Sequence, residues 1–493
     1  MQSEEIARVV AEVLKRLERE DLGRVLTADG GGTPSPYGSI GGVSPFPSGC
    51  GGVVYPTVDA AVQSAARAQV VFSDQGLELR RKVIRALRRV SIANAERLAK
   101  MAVEETRMGR WEDKVQKNIV CATKTPGVED LVSKAYTGDL GLTLVEYAPY
   151  GVVAAVTPST NPAATIINNS ISILSAGNSV VFAPHPAAFK TCVEMMSLLC
   201  EAAMQAGAPR GLIATFDKPS QENTKNLLAH PDPRVNIVTG GPAIVKVAMT
   251  AGKACKTIAA GPGNPPAVVD ETAVFPKCAS DIIFGASFDN GVLCTAEKET
   301  IVVEAAKDRF LSAMRADPRA YELNASQMDQ LTKLVIKEGG KGCKDPVLNR
   351  DYIGRDASVI AKGIGLTVPD SVRLLWSLVG NDHPFVWTEQ LMPVMPVTVV
   401  RDVEAAVALA QQAEGGHRHT ASMHSTNVAN LTTMGRRMQC SIYVKNAPTI
   451  YGLGLGEGYA TMSIGTPTGD GLTKTSHFAR PLHCALVGYF RIA

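Results

Sequence analysis

Between Gly151 and Ile258 the chain alternates short apolar runs with helix-like segments, and this alternation constrains the fold more than any other feature. The runs are Gly151-Val152-Val153-Ala154-Ala155-Val156, Ser179-Val180-Val181-Phe182, Gly211-Leu212-Ile213-Ala214-Thr215, Val235-Asn236-Ile237-Val238 and Thr257-Ile258. Strands of this kind joined by helices predict a parallel sheet covered by helices. Such sheets bind ligands, dinucleotides among them, at the carboxyl ends of their strands. The G-x-G-x-x-G pattern is missing there; after Val238 stands Thr239-Gly240-Gly241-Pro242, leading into a helix from about Ala243. Small residues let a pyrophosphate approach the backbone, and the first N–H groups of the helix would face it. On these residues alone a plain structural turn is an equal alternative.

A chain of 493 residues has room for two or three domains. A net charge of +3, with no basic tract and no interleaved aromatic platform, argues against nucleic acid and against an acidic membrane surface. No apolar run approaches the roughly 18–20 residues that span a bilayer. The ten cysteines form no C-x-x-C pair, and with no secretory signal they read as reduced thiols of an intracellular protein. From Val53 to about Tyr136 the chain reads as helices; the arginines between Leu79 and Val90 are expected to form a solvated face. His417, His419 and His424 lack the carboxylate or cysteine cluster that would complete a metal site, so no metal is expected. The glycine run Gly452–Gly458 looks like a nucleotide loop but lacks the strand–helix context.

The N-terminus is a module of its own. Ile6, Val9, Val10, Val13, Leu14 and Leu17 fall on one helix face, with charged residues on the other. Residues 20–52 are rich in Gly, Pro and Ser and read as a flexible linker. A tethered amphipathic helix needs a partner for its apolar face: its own enzyme domain, another subunit, or a separate protein.

The chemistry centres on Phe288-Asp289-Asn290-Gly291-Val292-Leu293-Cys294-Thr295, where one cysteine follows a turn-prone Asn-Gly pair and precedes the β-rich Thr300–Val303. A thiolate is the strongest side-chain nucleophile near neutral pH, and a carbonyl carbon is its natural target. Packing is the commoner fate of a free cysteine. Three further stretches weigh against it here: Thr157-Pro158-Ser159-Thr160-Asn161-Pro162, Gly177–Pro186 and Glu389-Gln390-Leu391-Met392-Pro393.

These four stretches occur in the order of the aldehyde dehydrogenase superfamily, and from about residue 51 onward the chain resembles its CoA-acylating propionaldehyde and acetaldehyde dehydrogenases of bacterial microcompartments. The resemblance implies an α/β fold: a Rossmann-like cofactor domain (53–133 and 149–260), an α/β catalytic domain (261–460) and a small β oligomerisation arm (134–148 and 461–493). It implies Cys294 as nucleophile and acyl carrier, with Asn161 and the Cys294 N–H as donors to the oxyanion. It places Thr157, Pro158, Ser159, Pro184, His185, Gly240, Gly241, Pro242, Ala260 and Gly261 along NAD, and Glu389 on the nicotinamide ribose. It makes residues 1–19 an encapsulation peptide docking on a microcompartment shell or cargo protein, and the protein a cytoplasmic dimer or tetramer inside that compartment.

Two departures sharpen the expectation. Hydrolytic relatives carry a glutamate where this chain has Ala259. Water, with a pKa of about 15.7, needs such a base, whereas a thiol at about 8.5 needs far less help. Coenzyme A is therefore the expected acyl acceptor, and the substrate a short aldehyde, propionaldehyde before acetaldehyde. Ala183 and Pro186 stand where hydrolytic members grip the adenosine ribose, which leaves selection of NAD over NADP open. The rivals are a hydrolytic aldehyde dehydrogenase, against which Ala259 argues, and an inactive shell-associated scaffold, against which the joint presence of Cys294, Asn161 and Glu389 argues.

Overall fold

The computed structural model describes residues 52–489 except 252 and 344, together with 11–13 and 15. Apart from those four, which are helical, the N-terminal module and the linker lie outside the described residues. Val13 packs half-buried against the large apolar cluster of the first sheet.

The alternating runs form a six-stranded parallel sheet. Its order is Val54–Tyr55, Ile213–Phe216, Ser179–Pro184, Val152–Thr157, Val235–Thr239 and Lys256–Ala260. The first of these is only two residues long, and the pattern does not announce it. Side chains alternate between the two faces, as strand geometry requires. Val153 and Ala155 join one apolar cluster, while Val152, Ala154 and Val156 join another on the opposite face. Strand order reverses beside Val152–Thr157, so the crevice at its carboxyl end is the switch point where such sheets hold ligands. The helix Pro162–Ser175 starts there and is buried along its whole length. Within it Asn168 donates to Thr125 Oγ1 at 2.9 Å and accepts from the Met462 N–H at 3.1 Å, whereas Asn169 Nδ2, Ser170 Oγ and Ser175 Oγ are buried without partners.

In the arginine-rich helix, Gly76–Ala93, Arg81, Lys82 and Arg89 form the expected exposed face, but Arg80 and Arg88 turn inward. Arg80 is buried with its guanidinium against Gly177, and Arg88 donates to the carbonyls of Ala122, Thr123 and Thr125 at 2.8–3.0 Å. The aliphatic stems of these residues complete the apolar stripe, and their heads tie the helix to its neighbours.

A second parallel sheet has seven strands, in the order Ala320–Glu322, Leu374–Leu378, Val394–Val400, Glu299–Val303, Pro266–Val269, Thr420–His424 and Ile442–Lys445. A third, antiparallel sheet joins Lys134–Gly138 and Gly141–Pro149 to Ala479–Val487. In the last strand only Ala479 is buried, and its outer edge is unpaired among the described residues.

His424, on the second sheet, is buried with no partner at Nε2, and burial lowers its pKa to about 3. The unfolded chain takes up a proton at this residue below about 6.5 that the fold resists until about 3, so stability is lost as pH falls through that window. The variant His424→Gln is expected to lose less melting temperature than wild type between pH 6.5 and 4.5. Equal losses would mean that the imidazole is protonated without penalty in the fold.

Candidate active site

Cys294 follows a turn that few sequences tolerate. Asp289, Asn290 and Gly291 take φ values of 50°, 55° and 68°, three left-handed residues in succession. Each non-glycine residue held there costs roughly 1 kcal/mol or more, so the surroundings must enforce the shape. The Asp289 carboxylate accepts from the Arg110 N–H at 2.8 Å, from Lys114 Nζ at 3.0 Å and from Lys117 Nζ, while its own N–H donates to Asp113. Asn290 Nδ2 donates to Gly354 O and Asp356 Oδ1 at 3.0 Å. At Gly291 an added Cβ would lie 2.8 Å from the Met392 carbonyl, so glycine is required. From the other side, buried Lys298 donates to the carbonyls of Gly291 and Leu293 at 2.5 and 3.1 Å.

The thiol so presented is half-buried, and its pKa is pushed up to about 12, first by burial and then by the Glu389 carboxylate. Lys298, the Cys294 N–H and Lys117 pull the other way. Burial also raises Glu389, to about 7, against the opposing pull of Lys298 and the Gly263 N–H. Lys298 thus sits in the fields of both groups, and of Glu297 and Glu299.

Asn161 is buried at the entry to the helix Pro162–Ser175, and Lys117 Nζ donates to its Oδ1 at 2.5 Å. Lys114 Nζ donates to the preceding carbonyl, Thr160 O, at 3.0 Å. Both lysines project from one face of the helix Trp111–Lys124, three residues apart. Lys117 also lines a small apolar cavity with Gln116, Val120, Phe288, Ile450, Leu453 and Met462. Leu453 comes from the glycine run, which therefore forms a wall of this cavity instead of a nucleotide loop. Lys124 Nζ donates to Gly456 O and ties that wall to the same helix.

The residues expected along a dinucleotide gather at the carboxyl ends of the first sheet. Thr157 pairs with Pro184 in register and Thr239 with Ala260, so Thr157–Ser159, Pro184–His185, Gly240–Pro242 and Ala260–Gly261 line one rim. Gly241 precedes the helix Pro242–Met249, with open space where a Cβ would stand. An uncrowded helix N-terminus at the switch point fits a dinucleotide phosphate. Ala259 is enclosed in the apolar cluster that holds Val181, Val238 and Val245, so no base stands at that position.

Among the described residues no group of three or more His, Cys, Asp or Glu could hold a metal ion, and no helix is long and apolar enough to cross a membrane. His419 is buried against Gly263, where a Cβ on that glycine would also meet the Cys294 carbonyl at 2.9 Å. Its Nδ1 faces Thr420 Oγ1 and its Nε2 has no partner; burial first, then His417 and Lys298, lower its pKa to about 3.

Residues 55–459 match the pattern of the aldehyde dehydrogenase family. The chain belongs to that family. This dehydrogenase is 49% identical over 446 residues to the acetylating acetaldehyde dehydrogenase of Salmonella typhimurium, covering 89% of this chain and 93% of the relative. It is similar to the structure of Rhodopseudomonas palustris propionaldehyde dehydrogenase with bound CoA and an acylated cysteine, at 43% identity and a TM-score of 0.86, over 90% of this chain and 99% of that one. It is also similar to the propionaldehyde dehydrogenase of the Clostridium phytofermentans fucose utilisation bacterial microcompartment, at 39% identity and a TM-score of 0.85, over 90% and 100%.

Motif reading of this dehydrogenase reaches Cys294, Asn161 and Glu389 but passes over Lys114, Lys117, Asp289 and Lys298, and it sets His419 aside with the metal question. A lysine on a predicted helix carries no mark of burial when its carboxylate partner lies more than 170 residues away. The fields at Cys294 give a test. Glu389→Gln removes the negative charge that raises the thiol and leaves Lys298 to stabilise the thiolate. Iodoacetamide alkylation of Cys294 is then expected to shift to lower pH by roughly half a unit or more. An unmoved profile would mean that Glu389 does not act on the thiol.

Proposed function

We propose that this enzyme, a CoA-acylating aldehyde dehydrogenase, oxidises a two- or three-carbon aldehyde, propionaldehyde before acetaldehyde, with NAD as hydride acceptor. The observation that carries the choice of CoA over water is Ala259, an enclosed methyl where hydrolytic members hold their base. Acetaldehyde is kept beside propionaldehyde because of the 49% identity to an acetylating relative. One methylene is worth about 1–3 kcal/mol in a pocket, so discrimination between them is expected to be modest.

In this reading the Cys294 thiol releases its proton to solvent, Lys298 favouring the thiolate, and Sγ attacks the carbonyl carbon while the aldehyde tail enters the apolar cavity beside Lys117 and Phe288. The aldehyde oxygen becomes an anion and takes hydrogen bonds from Asn161 Nδ2 and the Cys294 N–H. Thr157–Ser159, Pro184–His185, Gly240–Pro242 and Ala260–Gly261 would hold NAD along the sheet rim, with Glu389 at its nicotinamide ribose, and it would supply the hydride acceptor. Cys294 is left as a thioester, and the CoA thiol displaces it. The CoA thiol, with an ordinary pKa of about 8.5, is already partly ionised and attacks as its thiolate without a base from the site, buried His419 being held neutral. Exchange of one thioester for another keeps the acyl group activated.

The edge strand Ala479–Val487, with Leu482, Leu486 and Val487 exposed, supports association with a second copy into a dimer or tetramer. Residues 1–19 are assigned to docking on a microcompartment shell or cargo protein, in line with the compartment of the Clostridium phytofermentans relative. That docking would exchange the contact Val13 makes with its own chain.

NADH formation from propionaldehyde and NAD, with and without CoA, tests the reading on wild type and Cys294→Ala. Sustained turnover is expected only with CoA and only in wild type. Equal turnover without CoA would mean that water deacylates Cys294 and that the argument from Ala259 is wrong.

A further inference from the structure

The Asn161 side chain is expected to do something it does not do. It occupies the N-cap of the helix Pro162–Ser175, where an asparagine oxygen normally accepts from the second or third N–H of the helix. Here the first helical residue is Pro162, and Asn161 makes no side-chain cap hydrogen bond. Its Oδ1 is taken instead by Lys117 Nζ. An ammonium has three N–H donors and no acceptor, so the amide atom facing it must be the oxygen. Nδ2 is thereby turned away from Lys117, with a 3.2 Å bond to Thr160 Oγ1 using one of its two hydrogens. Lys117 is fixed in turn by the Asp289 carboxylate, which also shapes the turn ahead of Cys294.

Resting on the reading of Asn161 as oxyanion donor, we propose that Lys117 is a positioning residue. Anchored by Asp289, it withholds the Asn161 oxygen from the helix N-terminus and so keeps Nδ2 aimed at the substrate oxygen. The same contact keeps an acceptor lone pair out of the place where the negative charge develops. Without Lys117, the amide oxygen returns to the free N–H of Ala163 or Ala164 as an ordinary helix cap, and Nδ2 is carried off with it. One asparagine thus has two competing hydrogen-bonding roles, and a lysine on a neighbouring helix decides between them.

The test uses the full chain and the variants Lys117→Met, Asn161→Ala and their combination. Removing one oxyanion donor costs about 10²–10³ in kcat. Lys117→Met is expected to lose a factor in that range in CoA-dependent NADH formation, with the KM for propionaldehyde within about threefold of wild type. Iodoacetamide alkylation of Cys294 needs no oxyanion donor and loses only the pull of Lys117 on the thiolate, the weakest of those acting there, so it is expected to stay within about threefold. The double variant is expected to be no slower than the slower single variant, since both act through one amide. Lys117→Arg, which also presents only donors, is expected to recover part of the loss. A crystal structure of Lys117→Met, or of Lys117→Gln should the first variant fail to fold, reads the proposal apart from turnover. The Asn161 oxygen is expected on the Ala163 or Ala164 N–H. Near-wild-type kcat, losses that multiply in the double variant, alkylation falling in step with activity, or an amide that keeps its orientation would each overturn the proposal. If wild type itself gives no CoA-dependent NADH, the functional reading fails, while the orientation of Asn161 in the variant still decides the role of Lys117.

Discussion

One buried carboxylate, Asp289, holds the working parts of this enzyme in relation to one another. It receives Lys114 and Lys117 from the helix Trp111–Lys124 and the Arg110 N–H from the residue ahead of that helix. Through the lysines it is coupled to Thr160 and Asn161 at the end of the central strand of the first sheet. Through its own backbone it belongs to the left-handed turn that delivers Cys294. Burying such charges is costly unless each is paired, and replacing one partner would leave the others unsatisfied. The cluster is therefore a weak source of stability but a strong constraint on geometry, because only one arrangement satisfies all its members.

A second cation works from the opposite side. Lys298 has no carboxylate within ion-pair distance among the described residues, and it spends its hydrogen bonds on the Gly291 and Leu293 carbonyls while lying in the fields of Cys294 and Glu389. Cys294 and Glu389 are thus electrostatically linked. Any ligand that engages Glu389 changes the thiol, and acylation of the thiol changes Glu389.

The fold was largely legible because its signal is local. Apolar runs of strand length, spaced by helices, can hardly form anything but a covered parallel sheet, and the strands from Val152 to Ala260 lie where those runs predict. The turn before Cys294 was legible in part: Asn290-Gly291 signals a bend, yet nothing in the residue types says that Asp289 joins it. The charged half of the site was not legible. Lys114 and Lys117 look like any solvated pair on a helix, and burial becomes visible only when the Asp289 turn closes over them. The arginines of Gly76–Ala93 show the same blind spot, since a long charged side chain can be surface or anchor with no change in pattern. His419 was legible as a histidine but not as a neutral one, a property that comes from packing against Gly263.

The antiparallel sheet carries a consequence for how the molecule comes into being. Gly141–Pro149 pairs with Ala479–Val487, more than 300 residues further along the chain. Asn178 is likewise closed by the Phe478 carbonyl, 300 positions later. During synthesis these contacts wait for 300 or more further residues, because segments so distant in sequence cannot meet earlier. The third sheet is therefore closed only after every strand of both parallel sheets has been made.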